Sequence, residues 1–216
     1  MALTYLRDGM LTRIKNFILW LSVPLQKLLQ RSGDDEPHMS ITQARECINI
    51  LQSGHIVLTF ENGRPTSHII PGPWDHAAMC SAKITIIEAV GDFFKDGKNL
   101  GGVREVDALE FFIKKDNVCI IEVVYLNADL DYIPKNAGAD SLSFIGRGYD
   151  YFFKFLNENI YCSELPYACY RLSDADFLNH IPENKQILPN DFYIMAKTGK
   201  VYGQCKFKIL KEIKNV

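Results

Sequence analysis

The chain has 216 residues, of which 47% are apolar and 23% charged, with a net charge of −2 at neutral pH. This suffices for one full domain with a real core. No lysine- or arginine-rich block is present, which argues against a nucleic-acid partner. The six cysteines (47, 80, 119, 162, 169 and 205) include no C-x-x-C pair, so neither a zinc ribbon nor a thioredoxin-type motif is expected. An even count permits three disulfides. Cys80, Cys119, Cys169 and Cys205 lie in apolar or alternating runs, however, which favours free thiols and a cytoplasmic, reducing location.

In chain order, Ile14, Phe17, Ile18, Leu21, Leu25 and Leu28 recur at helical spacing and predict an N-terminal amphipathic helix. The run is too short to span a bilayer, and no small-x-small cleavage site follows it. Residues 10–30 would either pack on the domain or a second subunit, or lie on a membrane surface. Ser32 to Pro37 reads as a linker, giving a boundary between residues 1–37 and a domain over 38–216.

Ser40 to Leu51 predicts a capped helix with Ile41, Ala44, Ile48 and Leu51 on its buried side, ended by Gly54. His55 to Phe60 reads as a strand. The Gly- and Pro-rich segment 61–73 reads as a loop suited to the wall of a substrate cleft. Strands are expected at 76–80 and 84–90, joined at Ser81-Ala82-Lys83, then a turn-rich excursion from Gly91 to Gly102 and a strand over 118–126. Between 139 and 157 a helix would carry Tyr149, Phe152, Phe153 and Leu156 on one face. A further helix starts near Cys162, and 192–196 and 201–210 alternate like strands. Strands with segregated helices indicate an α+β domain with an antiparallel core.

The chemistry centres on Tyr161-Cys162-Ser163-Glu164-Leu165-Pro166. Proline is tolerated only in a helix's first turn, so Pro166 puts Cys162 at or just before a helix N-terminus. There the unpaired N–H groups and the dipole favour a thiolate, and the same groups suit an oxyanion. Leu165, Ala168, Cys169 and Leu172 mark the buried side of that helix. A buried, inert cysteine is the competing reading, and the two weigh about equally on these residues alone.

A nucleophilic thiol needs a base, and His76 is the candidate among five histidines. A hairpin centred on Ala82 would set His76 directly opposite Glu88, where a carboxylate fixes the imidazole tautomer. An exposed pair worth under about 1 kcal/mol fits that spacing equally well.

Leu51 to Thr59, Trp74-Asp75-His76-Ala77-Ala78, Ile87-Glu88-Ala89, Gly102-Val103, Gly148 to Phe152 and Tyr161 to Leu165 follow one another in an order that resembles a known family. It is the YiiX-like branch of the permuted NlpC-type, papain-like superfamily, which includes relatives of lecithin:retinol acyltransferase. The resemblance covers roughly residues 50–195. It implies a circularly permuted papain-like fold, with Cys162 as nucleophile, His76 as base and then acid, and Glu88 as third member. It further implies substrate-facing aromatics at Tyr149 and Trp74, and no metal or cofactor. Two positions depart from the family pattern: His55 follows Gly54 where the family has Asp, and Asp75 stands where it has Ser before the histidine. By strand alternation Asp75 faces away from His76, which leaves Glu88 as the orienting acid.

The implied activity is hydrolysis of an amide or isopeptide bond through a thioester, on a small-molecule or peptide substrate. Transfer or hydrolysis of a lipid acyl group would use the same three residues, and the N-terminal helix favours it. A silent binding module of the same fold is a third reading, which the intact Cys162, His76 and Glu88 disfavour.

Overall fold

The structure, a computed structural model, describes residues 38–62, 70–91, 101–153, 158–179, 181 and 186–215, with the backbone of 94–95 and 98–99. The expected N-terminal helix and linker, and much of the loop over 61–73, lie outside these residues. No helix among the described residues is long and apolar enough to cross a membrane.

Helix α1 spans Ile41–Ile50. Its start is set by a capping box, in which the Ser40 hydroxyl accepts the Gln43 N–H and the Gln43 side chain accepts the Ser40 N–H. Its buried side runs through Ala44, Cys47 and Leu51; Ile41, expected there, is 57% exposed because it precedes the contact with the sheet. The chain then enters β1, Ile56–Phe60.

Strands β2 (His76–Ala82) and β3 (Thr85–Val90) form the expected hairpin. A minor hairpin, β4 (Phe94–Lys95) and β5 (Lys98–Asn99), leads to β6, Gly102–Asp107, and to α2, Ala108–Ile113. Asp107 caps α2 by accepting the N–H groups of Leu109 and Glu110. Then come β7 (Asn117–Tyr125), α3 (Ile133–Asp140), α4 (Glu164–Ser173), α5 (Pro189–Thr198), β8 (Val201–Tyr202) and β9 (Cys205–Lys214).

Seven strands make one antiparallel sheet in the order β6-β3-β2-β1-β7-β9-β8. Antiparallel strands with helices on both faces make the domain α+β, as the sequence indicates. Because β1 and β2 are covered on both sides, they read as continuous apolar runs rather than alternating ones. On one face Ile56, Leu58, Ala77, Met79 and Ile87 pack with residues of α3, α4 and α5. On the other, Val57, Ala78, Cys80 and Ile86 meet Ala44 and Cys47 of α1 and Phe111 and Phe112 of α2. The six cysteines are all free and buried.

Several elements differ from expectation. Residues 192–196 lie within α5, not in a strand. Pro189 opens that helix and Gly199, at φ 59°, ends it in the left-handed conformation, so start and stop signals outweigh a short alternation. The helix expected over 139–157 lies earlier, as α3 opened by Pro134, followed by a 3-10 turn at Ser141–Phe144. Tyr149 and Phe152 sit in a loop, and Leu156 lies outside the described residues. Strand β6 and helix α2 were not expected at all.

Gly54 fastens the two layers together. Its φ is 94°, its N–H donates to the Cys80 carbonyl, and its own carbonyl accepts the Tyr170 hydroxyl of α4. A Cβ here would run into the Pro134 carbonyl. Gly54→Ala is therefore expected to destabilise by about 2–4 kcal/mol, seen as a melting temperature lowered by roughly 5–15 °C. An unchanged melting curve would contradict this account of the joint.

Candidate active site

Cys162 sits two residues before the first residue of α4, as Pro166 in the first turn requires. Ser163 holds the N-cap position without capping; its hydroxyl instead donates to the Ile187 carbonyl at 2.8 Å. The Tyr161 hydroxyl accepts the Ile187 N–H at 3.2 Å. The backbone of one residue, Ile187, thus clasps both neighbours of Cys162 and fixes the loop that carries it. Leu165, Ala168 and Cys169 of α4 are buried as expected, with Tyr167 and Tyr170 beside them. Leu172 is 62% exposed, because α4 emerges from the core before it ends at Ser173.

His76 opens β2 and Glu88 lies within β3. Their register differs from the expected one, since Ala78 and not His76 stands opposite Glu88. The turn is Lys83-Ile84, and the pairing is irregular between Cys80 and Ala82, which moves it by two residues. A slip of two keeps every side chain on its face, whereas a slip of one would have reversed them all. His76 and Glu88 therefore become diagonal neighbours, still within reach of a long side chain. His76 Nε2 lies 2.9 Å from Glu88 Oε2, with both residues buried.

The other oxygen of Glu88 is taken by Arg104, which stands directly opposite it on β6. Arg104 Nε and Nη2 donate to Oε1 at 3.0 and 2.7 Å. Burial alone would raise the Glu88 pKa. The hydrogen bond and charge of His76, with the charges of Lys115 and Arg104, hold it well below the usual carboxylate range. Glu88 is thus an anion whose two oxygens serve two different partners.

The Cys162 sulfur meets the same end of β2. The Ala77 N–H bonds to it, and the Asp75 carboxylate is close enough to act on it, so residues on both sides of His76 border the thiol. Burial pushes the Cys162 thiol up, the Ala77 N–H pulls it back, Asp75 adds to the rise, and the Ser163 N–H lowers it. The net direction is upward. The sequence suggested a thiolate favoured by the helix N-terminus; the shift runs the other way, because desolvation and the Asp75 charge outweigh the donors of Ala77 and Ser163.

Tyr149 is joined to the cysteine loop by a parallel bridge to Ile160, with the Ile160 N–H donating to Gly148 and the Asp150 N–H to Ile160. This brings its hydroxyl into hydrogen bonding with Cys162; burial and that sulfur raise the Tyr149 pKa, so the phenol stays protonated. Trp74 is placed differently from expectation. It is 0% exposed, packs edge-on against Tyr193, and its carbonyl accepts from Asn190. It belongs to the core that supports the strand leading to His76, not to a substrate-facing wall.

His55 lies at the opposite end of β1 from the site, since Thr59 pairs with His76. Its Nδ1 accepts the Gln52 N–H, and burial lowers its pKa despite the opposing charge of Glu122, so it is a neutral structural residue. Asp75 does not take the place of Glu88 beside His76, but its influence on the thiol was not foreseen. Arg104 was missed as well. The signal was the charge at the centre of Val103-Arg104-Glu105, which acquires meaning only once β6 is known to border β3.

Comparison with known proteins bears on the same residues. No curated protein and no solved structure matches the chain. A family described as permuted papain-like amidase enzyme, YaeF/YiiX, C92 family, matches residues 50–200, a span holding His76, Glu88, Tyr149 and Cys162. With more than two thirds of its length matched, the chain belongs to this family of permuted papain-like amidases.

Proposed function

We propose that the protein is a cysteine amidase that cleaves an amide or isopeptide bond through a thioester on Cys162. The observation that carries this reading is the buried His76–Glu88 pair at the strand end where Ala77 and Asp75 border the Cys162 sulfur. Glu88 occupies Nε2, which assigns Nδ1 to the thiol proton.

The sulfur attacks the carbonyl carbon as His76 takes its proton. The imidazolium then protonates the leaving nitrogen, and the C–N bond breaks to leave a thioester. Water, giving a proton to the same nitrogen of His76, attacks the thioester. The C–S bond breaks, the acid departs and the thiol is restored. The Glu88 carboxylate steadies the imidazolium in both halves, and the Tyr149 hydroxyl is a neutral donor at the sulfur.

The test is a mass measurement. A short-chain p-nitrophenyl ester should leave one acyl group on the protein, and peptide mapping should place it on Cys162. Failure to acylate, or acylation spread over the six cysteines, would remove the reading.

A further inference from the structure

We infer that Arg104 is a positioning residue for the reaction. By occupying Glu88 Oε1 with two N–H groups, it leaves Oε2 to meet His76 Nε2, and it decides the His76 tautomer wherever the two ends of this side chain differ. The kinetic part of this inference rests on the cysteine-amidase reading; the structural part does not.

The argument starts from donors and acceptors. A guanidinium has only donors, so whatever atom stands at Oε1 must be an acceptor. Arg104 supplies that demand twice, through Nε at 3.0 Å and Nη2 at 2.7 Å. Its position is fixed by direct pairing of β6 with β3, and its side chain is about one third exposed. In the native carboxylate both oxygens accept, so Oε2 accepts from Nε2–H of His76, and neutral His76 keeps its lone pair on Nδ1. The groups acting on Glu88 are His76 from β2, Arg104 from β6 and Lys115 from the turn after α2, the last paired with Glu61.

The device becomes visible when Glu88 is changed to glutamine, which has one acceptor and one donor end. Arg104 claims the acceptor, so the NH2 group is turned toward His76. Nε2 must then accept, the ring proton moves to Nδ1, and the lone pair that would take the thiol proton is lost. Removing Arg104 from this variant frees the amide to turn over and present its oxygen to Nε2–H. A second substitution should therefore repair the first.

Four proteins test this: the native chain, Glu88→Gln, Arg104→Met and the double variant. Imidazole nitrogen NMR reads the tautomer of His76, and ester or amide turnover reads its consequence. His76 should carry its proton on Nε2 in the native chain, on Nδ1 in Glu88→Gln, and again on Nε2 in the double variant. The double variant should recover at least about tenfold in kcat/KM over Glu88→Gln, although Arg104→Met alone loses about 10- to 100-fold, as removal of an outer orienting partner does elsewhere. Arg104→Lys combined with Glu88→Gln keeps a donor at that place and should show no recovery. The inference is overturned if Glu88→Gln leaves the tautomer unchanged, or if the double variant loses the product of the two single losses. The Glu88→Gln spectrum decides even if Arg104→Met does not fold. A tautomer that switches in a protein whose Cys162 cannot be acylated would sustain this inference while removing the amidase reading.

Discussion

Cys162→Ala is expected to reduce amide hydrolysis by on the order of 10⁴-fold or more while leaving the fold intact. The loss is large because the covalent route disappears entirely, and no other thiol is placed to replace it. Burial raises Cys47 to about 11 and Cys80, Cys119 and Cys205 to about 12, and Cys169 is also pushed well up. Stability should change little, since alanine removes one sulfur from a loop held by Ile187 through Tyr161 and Ser163. Alanine variants of the other five cysteines should keep activity within a few-fold, apart from any loss of folding. Activity retained in Cys162→Ala above about a hundredth of the native rate would mean that the nucleophile lies elsewhere.

The site was legible to the degree that its parts announce themselves locally. Pro166 fixes the start of α4, and with it the place of Cys162, using nothing beyond the geometry of proline. The His76–Glu88 contact was legible only in part. Alternation put both residues on one face, but the turn length was misread, and it was the tolerance of faces to a two-residue slip that preserved the contact. Arg104 depended on strand order, which no local pattern encodes, because β6 reaches β3 only after the excursion through β4 and β5. The protonation state of Cys162 was not legible either. A helix N-terminus can be read from a sequence, whereas the desolvation opposing it, and Asp75 acting from the residue before β2, belong to the packed fold.

The same division holds for the helices and strands. Ser40 or Thr42 predicts the start of α1 because a cap is a local signal; the structure settles on Ser40 and adds Gln43 as its reciprocal partner. In α5 the sequence carries equally local signals, Pro189 and Gly199, yet alternation at 192–196 suggested a strand. Aromatic and aliphatic residues fit either geometry over five positions, so terminus signals carry more information than periodicity in so short a window. Trp74 illustrates a different limit. The resemblance implied a substrate contact for it, but its ring is buried in the core against Tyr193, just ahead of the strand that His76 opens.

His76→Ala is expected to lower the rate at pH 7 by about 10³- to 10⁴-fold and to change the shape of the pH profile. On the proposed mechanism the base takes the thiol proton, so activity in the native protein should rise and then level off as His76 loses its proton. Without His76, the thiol must ionise unaided. Burial and Asp75 hold its pKa above the usual value, so only a small fraction is thiolate at pH 7. That fraction grows roughly tenfold for each pH unit below the pKa, and the residual rate should climb in proportion from pH 7 to 9 with no plateau. Adding Asp75→Asn removes the negative charge that opposes the thiolate. The thiol pKa then falls, and the residual rate at any fixed pH in this range should rise several-fold. A His76→Ala profile that keeps the native plateau would show that His76 is not the group that takes the proton, and an Asp75→Asn effect of the opposite sign would show that the carboxylate does not act on the sulfur through its charge.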